Sequence, residues 1–331
     1  MRADARDWFA RRTSSAADWP VPALRRAKGS TTVAVVLPAL DEEETVGDIV
    51  TSIRTALMGG AQHGDDPLVD DLVVVDSGSS DRTGAVAAQA GARVVHRDEV
   101  LPGIPAVAGK GDTMWRGLAA TTADVVVFVD ADLRSFTPAY VTGLLGPLLA
   151  DPGVALVKAI YERPLVQGAD VVEAGGGRVT ELVARPLLNL AWPQLAGVVQ
   201  PLAGEYAGRR SLLERLPFPC GYGVELALLV DTVELLGLDA VAQVDLGVRV
   251  HRHHDERRLG RMAGEIWQTA LDRLDPDGRL RRDRDLGTTI TVFDRGPEGF
   301  VLSEREVLAL TRPPLVTVPE YAGRAQVAEP T

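Results

Sequence analysis

From residue 31 onward, short apolar runs alternate with segments whose apolar positions recur every three or four residues. The runs are rich in β-branched residues and bounded by Gly, Asp and Ser. They predict strands at Val33–Leu37, Leu72–Val75, Ala92–Val95, Val125–Val129 and Val154–Ile160. After the first run, Thr45, Val46, Ile49, Ile53 and Leu57 form a helical stripe behind acids placed at the helix start. Ser80 or Asp81 is a natural N-cap for a helix through Ala90. Gly109-Lys110-Gly111 introduces another helix through Ala120. This strand–helix alternation predicts an α/β fold with a doubly wound, mostly parallel sheet and helices on both faces. Past residue 160 the chain is richer in Gly and Pro, with helical patterns near 180–190, 207–215 and 224–237 and a short strand at Val241–Val244. Residues 1–30 form a polar, Arg-containing arm expected to pack loosely. Arg257, Arg258, Arg261 and Arg273 mark a basic helical segment with an expected solvated face, and a tail with several prolines follows.

The run Val125–Val129 suits a strand buried on both faces, and two carboxylates, Asp130 and Asp132, follow it at once. In extended chain, residues i and i+2 point the same way. The two acids can therefore converge at the carboxyl edge of the sheet, where open α/β sheets bind ligands. Paired hard oxygen donors there suit Mg²⁺ or Mn²⁺ holding a diphosphate. The bland alternative is a turn or helix cap ahead of Pro138.

Length and charge narrow the possibilities. The chain has 331 residues, enough for about two domains. Its net charge of −11 argues against a general nucleic-acid surface, so an anionic substrate must be met by local donors. One cysteine, Cys220, excludes an intramolecular disulfide and fits a reducing cytoplasm. The first residues lack the apolar core of a signal peptide, and no stretch reaches ~18 uninterrupted apolar residues. The expectation is a cytoplasmic protein with no membrane segment.

Several constellations share the predicted sheet edge. Pro38-Ala39-Leu40-Asp41-Glu42 follows the first strand and could read a nucleobase or ribose; an acid-rich helix start is the alternative. Asp76-Ser77-Gly78-Ser79 forms a small polar loop after the second, with a plain capping loop as the alternative. Lys110 between two glycines can meet a diphosphate. Neither a Walker P-loop nor a G-x-G-x-x-G fingerprint after the first strand is present, which argues against a dehydrogenase. Gly175-Gly176-Gly177-Arg178-Val179-Thr180 offers successive amides, a guanidinium and a hydroxyl to an anion, or else is a linker. Glu225 opens a helix after Gly221-Tyr222-Gly223 and is either a substrate-orienting acid or one favoured by the helix dipole. His251-Arg252-His253-His254 carries three of the five histidines, and one could complete a metal site begun by Asp132.

In this order the residues resemble the A-type glycosyltransferase fold and, more narrowly, the glucosyl-3-phosphoglycerate synthases with their mannosyl relatives. The matching segments are VVLPALDEEETV, LVVVDSGSSDRT, GKGDTMWRGLAA, VVVFVDADL, GGGRVTELVARPLL, PLAGEYAGRR, PFPCGYGVELALLVDT and AQVDLGVRVHRH. The resemblance implies transfer of glucose from UDP-glucose to the 2-hydroxyl of 3-phosphoglycerate, with retention, a divalent metal and a homodimer. It implies that Pro38, Ala39, Leu40, Glu42 and Ser77 hold the nucleoside and that Lys110 and Asp130 contact the donor. Asp132 and His251 would ligate Mg²⁺ or Mn²⁺, Gly177, Arg178 and Thr180 would bind the acceptor, and Glu225 would face the sugar. His253 stands where relatives commonly carry Asn, leaving acceptor or sugar contacts there open. The implied organisation is an arm at 1–30, a nucleotide-sugar-binding domain at 31–160, an acceptor-binding and metal-completing region at 161–255, and a C-terminal helix and tail at 256–331 available for dimerisation. The rivals are transfer of mannose from GDP-mannose, transfer to a polyprenyl phosphate at a membrane, a nucleotidyltransferase, and a binding module without turnover.

Overall fold

A computed structural model of the chain describes residues 1–59, 66–162, 165–167, 170–172, 177–248, 256–275, 289–296, 299–307 and 309–327. In chain order the strands are β1 (Thr13–Ser15), β2 (Val33–Ala39), β3 (Asp71–Asp76), β4 (Arg93–His96), β5 (Val125–Phe128), β6 (Leu156–Glu162), β7 (Leu165–Gln167), β8 (Asp170–Val172), β9 (Tyr206–Arg209), β10 (Phe218–Pro219), β11 (Val241–Val248), β12 (Thr289–Gly296), β13 (Gly299–Glu306) and β14 (Thr311–Arg312). The helices are α1 (Ala3–Arg12), α2 (Val21–Lys28), α3 (Val46–Leu57), α4 (Thr83–Ala90), α5 (Lys110–Ala119), α6 (Ala139–Ala150), α7 (Arg185–Ala191), α8 (Arg210–Leu213), α9 (Val224–Leu236), α10 (Glu256–Leu274) and α11 (Pro319–Val327). Eight strands form the main sheet in the order β1-β11-β6-β9-β5-β2-β3-β4. All its pairings are parallel except those of β9, which runs antiparallel to both β5 and β6.

Burial on both faces explains the unbroken apolar runs. Val36, Val73, Val75, Val126 and Phe128 face a core shared with Met114, Trp115 and Leu118 of α5 and Leu226 and Leu229 of α9. Their chain neighbours Val35, Leu37, Val74, Val125 and Val127 face a second core with Ile49 and Ile53 of α3 and Leu144 and Leu145 of α6. The carboxyl ends of β2, β3 and β5 therefore open on one edge. Among the described residues, no helix is long and apolar enough to cross a membrane.

Three expectations are corrected. The helical pattern at 207–215 is instead β9 followed by the single turn α8. The propensity of Tyr-Ala-Gly-Arg is overridden by its place mid-sheet, where the Tyr206 ring lies 5.0 Å from that of Phe128. The N-terminal arm is not loose. Trp8 is fully buried with its Nε1 donating to the Val241 carbonyl at 2.8 Å, and β1 extends the sheet along β11. The basic face of α10 is not simply solvated, because Arg273 makes a two-pronged ion pair with Asp231 of α9 at 2.7 and 2.6 Å.

Candidate functional site

The turn after β5 carries the paired acids. Val129 N donates to the Val36 carbonyl at 3.1 Å, and the Thr45 hydroxyl at the start of α3 donates to the Ala131 carbonyl at 2.6 Å. The turn is thus fixed through its own backbone groups, by one main-chain bond and one hydroxyl. Lys110, the first residue of α5, places its Nζ 2.6 Å from Asp130 Oδ1 and 2.9 Å from Glu225 Oε1. Three of the predicted side chains, from α5, the β5 turn and α9, meet in one cluster. Glu225 is 5% exposed there, Asp130 17% and Lys110 21%. Burial alone would weaken the charge on Lys110, but the two carboxylates outweigh it and hold its pKa well above that of an ordinary lysine. The amine stays cationic.

Gly204 forms the floor of this cluster. A Cβ there would overlap the Asp130 carboxylate and the Lys110 ammonium, so a side chain at this position would push the ion pair out of its present place. Beneath it lies a residue the sequence reading missed. Lys158 of β6 is 2% exposed, its Nζ donates to the Ala203 carbonyl at 2.6 Å and sits 4.9 Å from the Tyr206 ring centroid. Burial pulls its pKa down to about 8, with the Lys110 charge adding to the fall and Glu225, Glu205 and Asp130 opposing it. The signal was a lysine inside an otherwise apolar strand, where an unpaired charge is costly.

The loops after β2 and β3 are laced together beside the cluster. Asp41 adopts a left-handed backbone, φ 57°, and its Oδ1 accepts from the Ser80 amide at 2.7 Å and hydroxyl at 3.0 Å. Glu42 N donates to Thr83 Oγ1 at 2.7 Å. Pro38 and Ala39 end β2, and Leu40 is left 54% exposed on the rim. Ser77 is buried and shares a 2.7 Å hydrogen bond with Thr113, one turn along α5 from Lys110. Asp76 serves its own loop: Oδ1 accepts from the Gly78 and Ser79 amides at 3.1 and 2.8 Å, as in the capping alternative.

Gly177 is left-handed, φ 82°, and its carbonyl accepts from Glu181 N at 3.0 Å. Arg178 is exposed at the start of that helical turn and Thr180 is buried within it. Arg185 braces the turn with a two-pronged pair to Glu181 at 2.8 and 2.9 Å, which holds the Glu181 carboxyl below its usual range. Gly175, Gly176, His251 and His253 lie outside the described residues.

Asp132, half-buried at the sheet edge, offers the hard oxygen that Mg²⁺ or Mn²⁺ prefers. Among the described residues, no three His, Cys, Asp or Glu side chains converge to hold a metal. The donor chemistry fits a cation held jointly with a ligand's phosphates.

Glycines let α10 approach the start of α9. Glu265 is 1% exposed and accepts from the Tyr222 amide at 2.7 Å, while a Cβ on Gly221 would lie 2.2 Å from its Oε2. Nearby Cys220 is buried, and its pKa is raised to about 11, by burial first and by Asp112 next. Its thiol should resist alkylation at pH 8 in the native protein and react fully in denaturant. Rapid native labelling, read by mass spectrometry, would contradict this environment.

Known proteins resemble this chain in sequence and in fold. Residues 34–171 match the glycosyl transferase family 2 model. A glucosyl-3-phosphoglycerate synthase from Mycolicibacterium smegmatis is 48% identical over 312 residues, covering 94% of this chain and 98% of the relative. The crystal structure of glucosyl-3-phosphoglycerate synthase from Mycobacterium tuberculosis with Mn²⁺ and uridine-diphosphate-glucose superposes with a TM-score of 0.77 at 45% identity, covering 90% of this chain and 94% of that one. The same enzyme with Mn²⁺, uridine-diphosphate and phosphoglyceric acid gives 0.78 at 45% identity and the same coverage. The sheet is that of an A-type glycosyltransferase, and the chain belongs to the glucosyl-3-phosphoglycerate synthase family.

Proposed function

We propose that this protein transfers glucose from UDP-glucose to the 2-hydroxyl of 3-phosphoglycerate, keeping the anomeric configuration and using Mg²⁺ or Mn²⁺. The observation that carries this reading is the Lys110–Asp130–Glu225 cluster at the carboxyl edge of the sheet. It sits in a chain whose relatives bind uridine-diphosphate-glucose and phosphoglyceric acid.

The chemical difficulty is expelling a nucleoside diphosphate from an anomeric carbon. Negative charge grows on the β-phosphate as the bond breaks. Lys110, already cationic and already held in place, stabilises that charge without reorganising. Asp130 and Glu225 fix the direction of the ammonium. Pro38, Ala39, Leu40 and Glu42 lie along the rim as the nucleoside contacts, with Ser77 beside them. Asp132, with His251, is the ligand pair for the divalent cation, whose part when bound is to draw off leaving-group charge. Gly177, Arg178 and Thr180 orient the acceptor phosphate and carboxylate so that its hydroxyl lies near the reacting carbon. The carboxylate of Glu225 is tied to Lys110 and is a weak nucleophile. Front-face attack, with the departing phosphate taking the proton, accounts for retention.

NMR of the product should show an α-linked glucosyl-3-phosphoglycerate, with no glycosyl adduct on Glu225 by mass spectrometry. A β-linked product or a trapped Glu225 ester would overturn the mechanism. Arg178→Ala is expected to raise KM for 3-phosphoglycerate on the order of 10- to 100-fold, the worth of a charged hydrogen bond, and KM for UDP-glucose less than about twofold. Equal rises in both would undo the acceptor assignment. Gly204→Ala is expected to lower kcat at least about tenfold with the circular dichroism spectrum unchanged, because the added methyl meets only side-chain ends. Full activity would mean that the ion pair does not govern turnover.

The family resemblance also supports a homodimer working in the cytoplasm, the 31–160 segment taking the donor and 161–255 the acceptor. A single buried, weakly acidic thiol suits a reducing compartment.

A further inference from the structure

The C-terminal tail reaches back to the first turn of α5, the helix that begins with Lys110. Strand β14 pairs antiparallel with β10, matching Arg312 to Phe218 and Thr311 to Pro219. The next link is Cys220, whose amide donates to the Leu310 carbonyl at 2.8 Å and whose carbonyl accepts from Gly111 N at 2.8 Å and Asp112 N at 3.3 Å. A Cβ on Gly111 would fall 1.8 Å from the Pro219 carbonyl oxygen, so the first turn of α5 lies directly against β10. Lys110 is the residue before Gly111.

Side chains repeat the connection. Asp112 is fully buried, and Arg312 Nε donates to its Oδ1 at 2.5 Å. Arg116 Nε donates to the other oxygen at 3.0 Å, as does Val107 N at 3.2 Å. Arg312 Nη2 also donates to the Pro105 carbonyl at 2.6 Å, and its guanidinium lies 5.5 Å from the Trp115 ring centroid. Trp115 Nε1 in turn donates to the Pro313 carbonyl at 3.0 Å. The two Nη groups of Arg116 donate to the carbonyls of Arg97, Val100 and Ile104. The loop leading into α5 is thus gripped from within by two guanidiniums, one of them contributed by the tail, 200 residues beyond Asp112. Arg312 donates from two separate nitrogens of a planar group that also lies over an indole, an arrangement the point charge of a lysine does not reproduce.

We propose that Arg312 is a positioning residue: through Asp112 it fixes the first turn of α5 and so sets the reach of Lys110 toward Asp130 and Glu225. This rests on the reading of Lys110 as the donor-phosphate contact. The tail then acts as a strap that completes the active site.

The test compares wild type, Lys110→Met, Arg312→Ala and Arg312→Lys in one steady-state assay, with circular dichroism to establish folding. Arg312→Ala should lower kcat on the order of 10- to 100-fold, the usual result of displacing a catalytic group by about 1 Å. KM for 3-phosphoglycerate should stay within about twofold, since Arg178 and Thr180 lie outside the strap. Guanidinium at about 20 mM should restore kcat severalfold in Arg312→Ala and do nothing for Lys110→Met, a selectivity that a merely structural role would not produce. Arg312→Lys keeps a charge against Asp112 and should fold, yet lose kcat because its single nitrogen cannot stand at both the Nε and the Nη2 positions that meet Asp112 and the Pro105 carbonyl. Wild-type kcat in either folded Arg312 variant would overturn the proposal. So would a loss that guanidinium does not relieve. An active Lys110→Met would instead overturn the reading of Lys110 itself.

Discussion

Replacing Lys110 with methionine is expected to lower kcat about 1000-fold, close to 4 kcal/mol of barrier, while KM for 3-phosphoglycerate barely moves. Methionine keeps the length and apolar stem and removes the charge. The variant leaves Asp130 and Glu225 facing each other across the position where the ammonium stood. Like charges so placed repel the departing diphosphate instead of stabilising it. Stranding buried carboxylates costs on the order of 3 kcal/mol of stability. A modest fall in Tm should therefore accompany the kinetic loss. The loss must appear in kcat, because the charge is needed most when the bond is breaking. A variant within about tenfold of wild type would remove Lys110 from the chemistry.

Asp132→Ala is expected to lose turnover to a similar extent, about 1000-fold at saturating Mg²⁺, with Tm little changed. The turn that carries Asp132 is held by Thr45 on the Ala131 carbonyl and by the Val129–Val36 backbone bond, neither of which the substitution touches. What should change is cation affinity. Mn²⁺ titration in the presence of UDP, followed by the electron paramagnetic resonance of the free ion, should show at least about tenfold weaker binding, in line with loss of a first ligand. Wild-type affinity with normal turnover would assign the metal elsewhere.

The apolar periodicity made most of the sheet legible, since β2, β3 and β5 are buried on both faces and leave unbroken runs in the sequence, and β6 a run broken only by Lys158 before its last residues. It failed at β9, whose four residues Tyr206–Arg209 carry too little pattern and owe their extended form to neighbours on both sides. It also failed at the N-terminal arm, where one buried indole, Trp8, and a three-residue edge strand do the anchoring. Of the candidate site, the short motifs identified Lys110, Asp130 and Glu225 one at a time. Their convergence depends on α9 packing across the sheet end, which no local pattern encodes. Lys158, Gly204 and Glu265 escaped notice because each works through a close approach to a distant segment. A lysine in an apolar strand and a glycine ahead of a buried acid were the only traces they left. The tail was legible only as Pro-rich, although its Arg312 is a buried charge.

The most direct measurement is nucleoside-diphosphate release by the purified protein with Mg²⁺, run with UDP-glucose, GDP-glucose and GDP-mannose, each with and without 3-phosphoglycerate. Release from UDP-glucose that requires 3-phosphoglycerate is the expected result, with the two GDP-sugars far slower. Release only from a GDP-sugar, or release from UDP-glucose indifferent to 3-phosphoglycerate, would contradict it.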